Sequence, residues 1–164
     1  MTFLYCKNKI LVRPARAGDG KQLAPLLRAE DRRELAASHW GRSAAELLES
    51  FIRSSCASFC LSYDKEPAAL FGVSSPCWLS RRACVWLVTG RGILKMRVSF
   101  MRLARRITAD FLSVYPELYN FTDERYVSAV RFIRRLGGQF DGSSVMYGNV
   151  RFLYFTFRRN RWEE

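Results

Sequence analysis

The hydrophobic pattern of the chain predicts an α/β (α+β) fold, with a mixed central sheet flanked by helices on both faces. Three observations carry this. Apolar residues recur at helical spacing in some stretches and in short strand-like runs in others, and the two kinds interleave along the chain. Turn-forming Gly, Pro, Asn and Asp separate them. The 164 residues, 49% hydrophobic and 26% charged, suit one folded domain over residues 1–164 with a core that needs no staples.

Residues 9–13 (KILVR) are the first expected strand, stopped at Pro14. Gly18-Asp19-Gly20 breaks the chain, and Asp19 is suited to cap a helix through Leu23, Leu26 and Leu27, bent at Pro25. Residues 31–38 continue as a second helical piece. Ser43 and Glu46 have the spacing of a capping box, in which each side chain takes the other's exposed backbone amide. The helix it opens, 44–53, sets Leu47, Leu48 and Phe51 on one side. The period then changes. Residues 57–63 and 68–74 are short apolar runs on either side of Asp64-Lys65-Glu66-Pro67, the pattern of a hairpin. Residues 82–88 (RACVWLV) read as a buried strand. In 98–114, Phe100, Leu103, Ile107 and Phe111 recur at helical spacing opposite Arg102, Arg105 and Arg106, and Pro116 ends the helix. Residues 118–122 form a short strand, and Asp123 is expected to cap a helix over 124–136 that stops at Gly137-Gly138. Residues 139–147 and 151–158 pair antiparallel around Gly148-Asn149.

Composition narrows the function classes. Lys and Arg total 27 against 15 Asp and Glu, a formal net charge of +12, and arginine supplies 22 of those cations. Arginine favours planar, bidentate contact with phosphate and carboxylate. No helix-turn-helix, zinc-finger or RNA-binding signature accompanies these residues, so sequence-specific DNA reading is not expected. The longest apolar run, 83–88, is far shorter than a bilayer span. Residues 1–12, broken by Lys7, Asn8 and Lys9, lack the apolar core and cleavage site of a secretory leader. Cys6, Cys56, Cys60, Cys77 and Cys84 include no Cys-x-x-Cys pair and are expected as free thiols. A zinc site needs several ligands at set spacings, so no metal is expected, and His39 reads as a surface or loop residue beside Trp40.

The order of elements is similar to the GNAT acyltransferase fold. More closely, the chain resembles the GNAT-like proteins of tailed phages, which in short-tailed phages include an internal virion protein. The residues that carry this are Trp86-Leu87-Val88, the arginine-rich helix 98–112, Leu118-Tyr119-Asn120-Phe121-Thr122-Asp123-Glu124-Arg125, and Ser128-Ala129-Val130-Arg131-Phe132-Ile133-Arg134-Arg135-Leu136-Gly137. Arg13-Pro14, Leu26-Leu27-Arg28, Asp31 and Glu34 add to it.

The resemblance implies that strands 82–88 and 118–122 lie parallel and part toward their C-terminal ends. Acetyl-CoA would lie there, beside Leu87, Val88 and Asn120. Gly90, Arg91 and Gly92 stand at the family's pyrophosphate turn, where glycine lets phosphate approach backbone amides at a helix start. The family asks for Gln or Arg three residues before the first glycine; this chain has Leu87. On the following helix the family typically sets Asn, Ala, Tyr and Gly. Counting back from Gly137 gives Tyr126, Ala129 and Ile133, so isoleucine replaces the tyrosine that protonates the departing thiolate. Tyr126 or water is left to substitute. Glu30, Asp31, Glu34 and His39 are candidate bases; the resemblance favours Asp31 and Glu34, and the others read as ordinary surface groups.

Two functions follow. One is a virion-associated minor structural or ejected protein on a GNAT scaffold, with catalysis weak or lost, located in the virion or the host cytoplasm. The other is an active acetyl-CoA-dependent N-acetyltransferase acting on a phage or host amine. Nonspecific nucleic-acid binding is a third possibility. Arg102, Arg105 and Arg106 share one helix, and Arg131, Arg134 and Arg135 another. They are solvated faces, contacts to DNA phosphates or acidic surfaces of other virion proteins, or holders of the cofactor's phosphates.

Overall fold

A computed structural model describes residues 5–7, 9–77 and 79–159. The fold is mixed α/β. Its strands are β1 (Tyr5–Lys7), β2 (Ile10–Pro14), β3 (Ala57–Tyr63), β4 (Glu66–Ser74), β5 (Arg82–Thr89), β6 (Glu117–Asp123), β7 (Gln139–Tyr147) and β8 (Val150–Arg158). The helices are α1 (Asp19–Leu23), α2 (Ala29–Ser38), α3 (Ala44–Ser54), α4 (Arg97–Val114) and α5 (Val127–Arg135), with 3-10 turns at Ala24–Leu26 and Arg91–Lys95. The eight strands follow the order β1-β2-β3-β4-β5-β6-β8-β7. The chain divides into two compact units: Met1–Ser74 with Trp86–Arg97, and Ser75–Val85 with Val98–Glu164. Strand β5 runs from one into the other.

In the first unit β1 to β4 form an antiparallel meander, with Val12 opposite Leu61 and Leu61 opposite Ala69. The β3–β4 turn is tighter than the sequence suggests. Asp64 and Lys65 both take positive φ, 52° and 72°, the two-residue turn whose twist matches antiparallel strands, so β4 begins at Glu66. Pro67 therefore lies within the strand, tolerated where the register slips between Leu61 and Ser62. Leu23, Leu27, Leu47, Leu48, Cys60, Leu70 and Val88 form the core. The capping box forms, with the Glu46 amide donating to Ser43 Oγ and the Ser43 amide donating to Glu46 Oε2.

Asp19 does not cap α1. Gly18 is the N-cap, at φ 97°, and the Asp19 carboxylate instead accepts both Arg13 guanidinium nitrogens, at 2.7 and 2.8 Å, and the Arg16 amide. The helix start is served from α3, where buried Glu49 accepts the amides of Gly18 and Lys21. This close approach requires glycine at position 20: a Cβ there would lie 2.8 Å from Leu48 Cβ and 2.9 Å from the Glu49 nitrogen. The bend at Pro25 is present as the 3-10 turn that follows α1.

In the second unit β5 and β6 are parallel, paired at Arg82–Glu117, Ala83–Leu118 and Cys84–Tyr119, and joined by α4 as the crossover. The ladder ends there. Antiparallel β8 pairs with β6 and with β7. Phe100, Leu103 and Phe111 of α4 are buried, and Phe100 stacks on Phe132 with ring centres 5.3 Å apart. Asp123 likewise does not cap a helix. It accepts the Arg125 amide and pairs with the Arg125 guanidinium, which holds the chain in a turn, so α5 starts only at Val127 behind Tyr126. At the other end Gly137, at φ 92°, and Gly138 close the helix by donating to the Arg134 and Ile133 carbonyls.

All five thiols are free. Burial raises the Cys60 pKa to about 11 and also raises that of Cys84, so both stay protonated. The arginines at 102, 105, 106, 131, 134 and 135 are exposed. Among the described residues no helix is long and apolar enough to cross a membrane.

Two measurements test this packing. Gly20→Ala should destabilise the fold by about 1–3 kcal/mol in urea unfolding, because the added methyl meets α3 backbone. For Asp19, burial acts to raise the carboxyl, but the Arg13 and Arg16 hydrogen bonds and charges outweigh it and hold it below its ordinary 3.8. Its contribution is present above pH 3.8 and lost as pH falls through the lower folded value. Asp19→Asn should therefore flatten that part of the acid stability profile.

Candidate functional site

The C-terminal end of β5 is held by the first turn of α2 and the residues just before it. The Thr89 amide donates to Asp31 Oδ1 at 2.8 Å, and the Thr89 hydroxyl donates to Asp31 Oδ2 at 2.7 Å. The Thr89 carbonyl accepts the Arg28 amide, and Leu27 bridges Gly90 in antiparallel fashion. Asp31 is 4% exposed. Both of its oxygens serve Thr89, so the geometry gives it a positioning role. Glu34 is half-buried one turn further on, and its carbonyl accepts the Ser38 hydroxyl.

The Gly90-Arg91-Gly92 turn follows. The Gly90 amide donates to the Ala68 carbonyl at 2.8 Å. A Cβ at Gly90 would lie 2.9 Å from Leu23 Cδ1, and one at Gly92 would lie 3.1 Å from Ala68 Cβ. Both glycines thus pack closely on the chain's own β4 and α1. The turn does not lead straight into α4. The 3-10 turn Arg91–Lys95 intervenes, anchored by buried Ile93 and Met96. Leu87 is half-buried, and Val88 belongs to the core.

Beside this turn lies a groove of about 500 Å³. Arg28, Arg32, Arg33 and Arg91 line it with one carboxylate, Glu30, and with Leu27, Ala29, Ala36 and Leu94. Neither Asp31 nor Glu34 lines it. Helical spacing explains the division: positions 29, 32, 33 and 36 share one face of α2, while Asp31 and Leu35, four apart, are buried on another. That signal was in the sequence and points to Glu30, not Asp31, as the groove's acid.

His39, at the end of α2, has Nδ1 2.8 Å from Ser38 Oγ and packs edge-on to Phe51. Burial lowers its pKa, and the charge of Arg42 adds to this, so the imidazole is neutral at pH 7. Trp40 beside it is 91% exposed. Among the described residues no His, Cys, Asp and Glu side chains gather as a metal site.

In the second unit Asn120 Nδ2 donates to the Val85 carbonyl at 2.8 Å, where the β5–β6 ladder has ended. Its Oδ1 accepts the Phe121 amide. Tyr126 is 5% exposed and forms the N-cap of α5. Ile133 is 8% exposed, and a Cβ at Gly138 would lie 2.4 Å from its Cγ2, so the isoleucine fills its space.

No family model matches the chain, and no curated protein matches it. Solved structures do. A GNAT-family acetyltransferase from Bacillus anthracis superimposes with a TM-score of 0.70 at 8% identity, covering 95% of this chain and 98% of that one. A spermidine N-acetyltransferase from Vibrio cholerae, in complex with CoA and spermine, gives 0.68 at 14% identity, covering 93% and 96%. A microcin C7 self-immunity acetyltransferase bound to acetyl-CoA and AMP gives 0.67 at 10% identity, covering 93% and 94%. The fold is that of the GNAT acetyltransferases. Identities this low carry the fold alone, and a fold does not fix an activity.

Removing the Asp31 carboxylate would leave the Thr89 amide without its acceptor. Asp31→Ala should destabilise the protein by about 1–3 kcal/mol, read from the urea midpoint. A shift within a few tenths of wild type would show that the contact is dispensable.

Proposed function

We propose that the protein is a virion-associated component of a tailed phage, built on the GNAT acetyltransferase scaffold, that binds acetyl-CoA and transfers the acetyl group slowly at most. The observation that carries the low activity is Ile133. It occupies the position of the family's thiolate-protonating tyrosine and is wedged against Gly138. The resemblance of residues 118–137 to phage GNAT-like proteins supports the virion setting. There the exposed arginines at 131, 134 and 135 are suited to DNA phosphates or acidic protein surfaces.

The residues fit the charge of the cofactor. Lys95 and Arg97 are exposed between the glycine turn and the start of α4 and would hold its phosphates. The fit is less complete for the amides, since that of Gly90 is already taken by Ala68. Acetyl-CoA supplies an activated thioester when bound. Leu87, Val88 and Asn120 are proposed to lie along it. Asp31 keeps the end of β5 in position through Thr89. Glu30, as the groove's carboxylate, is the proposed base, ahead of Glu34. Tyr126 is the proposed substitute acid.

A second reading, a fully active N-acetyltransferase, is favoured by the groove with its single carboxylate. Calorimetry with acetyl-CoA and a turnover assay on lysine peptides, polyamines and protein N-termini separate the two. Loss of a positioned acid costs about 10²- to 10⁴-fold in rate, so micromolar binding with turnover lower by that factor than an ordinary member is expected. Absence of heat at millimolar acetyl-CoA would end the cofactor assignment. Ordinary turnover, lowered by Glu30→Gln and Tyr126→Phe, would establish the enzyme. Ile133→Tyr should fail to restore activity, because the larger ring must displace Gly138, and overpacking of this kind costs about 1–3 kcal/mol.

A further inference from the structure

The groove beside α2 has a charge that the scaffold does not explain. Four arginines line it against one glutamate. Two of them are held in place. Arg32 donates to the Ala24 carbonyl at 3.2 Å, and the Arg28 side chain, 20% exposed, stands 3.7 Å from Glu30. Arg33 and Arg91 are open to solvent. The first turn of α2 forms part of the wall and has no side-chain cap, which adds the positive end of a helix to the same space. A volume of about 500 Å³ suits a small molecule or the end of a peptide.

We propose that this groove anchors the acyl acceptor, and that the acceptor is an amine carrying a phosphate or carboxylate close to its nitrogen. The proposal rests on the acetyl-transfer reading above and deepens it. The guanidinium fork matches both oxyanions bidentately. A polyamine meets like charge there and is disfavoured. The arginines also act on the reacting group: cations close to an ammonium favour its neutral form, and only the neutral amine is nucleophilic. The anchored amine uses its lone pair to form the new N–C bond to the acetyl carbon, the C–S bond breaks, and its electron pair leaves on sulfur. The amine's surplus proton passes to Glu30, directly or through water, and from solvent a proton returns to the thiolate.

Calorimetry on the full chain at low salt, without acetyl-CoA, tests the anchor. The probes are phosphoethanolamine, an aspartyl-glutamyl dipeptide with a free amino terminus, and spermidine. The anionic amines should bind, with spermidine at least about tenfold weaker. The tighter of the two anionic probes identifies phosphate or carboxylate as the anchored group. Arg33→Gln combined with Arg91→Gln should weaken the anionic probes about tenfold at an unchanged melting temperature, and the Lys versions of both should recover part of the loss. Spermidine binding as tightly as the anionic amines would overturn the proposal, as would indifference to the double variant. Competitive displacement of phosphoethanolamine by CoA would also overturn it, by giving the groove to the cofactor's phosphates. If the anionic amines bind and acetyl-CoA does not, the transfer reading falls while the groove's preference stands.

Discussion

The contact between Asp31 and Thr89 organises the first unit. A strand end exposes an amide and a carbonyl that a neighbouring strand would otherwise take. Here a side chain and a backbone amide from the start of α2 take both. The carboxylate is buried, so it must be matched at both oxygens, and the amide and hydroxyl of one threonine do so. With Thr89 fixed, Leu27 bridges Gly90, the Gly90 amide reaches Ala68, and the turn packs closely on β4 and α1. Turning Asp31 inward also turns the opposite face of α2 outward, and that face is the arginine-lined groove.

The same economy of acids runs through the protein. Asp19 is held by Arg13, Glu49 by the amides at the start of α1, Asp31 by Thr89, and Asp123 by Arg125. All four carboxylates are buried. These acids are committed to internal partners, while arginines remain exposed beside the groove, on α4 and on α5, in a chain of net charge +12. Such a field weakens with salt and favours anionic partners of any kind. Specificity then depends on geometry, and the groove is where geometry and charge coincide.

The chemistry is uneven by comparison. Under the proposed function, exposed cations would meet the phosphates and Glu30 would take the amine proton. The position expected to hold a proton for the leaving thiolate carries an alkyl group packed against Gly138, and Tyr126 is buried at the opposite end of α5.

The sequence by itself determined the alternation of elements, because helical and strand periods are local. The stripe Phe100, Leu103, Phe111, the capping box at Ser43 and Glu46, and the glycine stop at 137–138 are all readable from neighbours a few residues apart. It also determined that position 133 has no proton to give. Tertiary structure decided what the acids do. Asp19 and Asp123 have the residue type of helix caps, yet each is claimed by a nearby arginine, and the cap of α1 comes from Glu49, some thirty positions away in the chain. Asp31 looked like a base and became an anchor because Thr89 lies across from it, while Glu30, one residue earlier, faces the groove. A carboxylate's role depends on which donor reaches it first, and that donor is set by packing between distant segments.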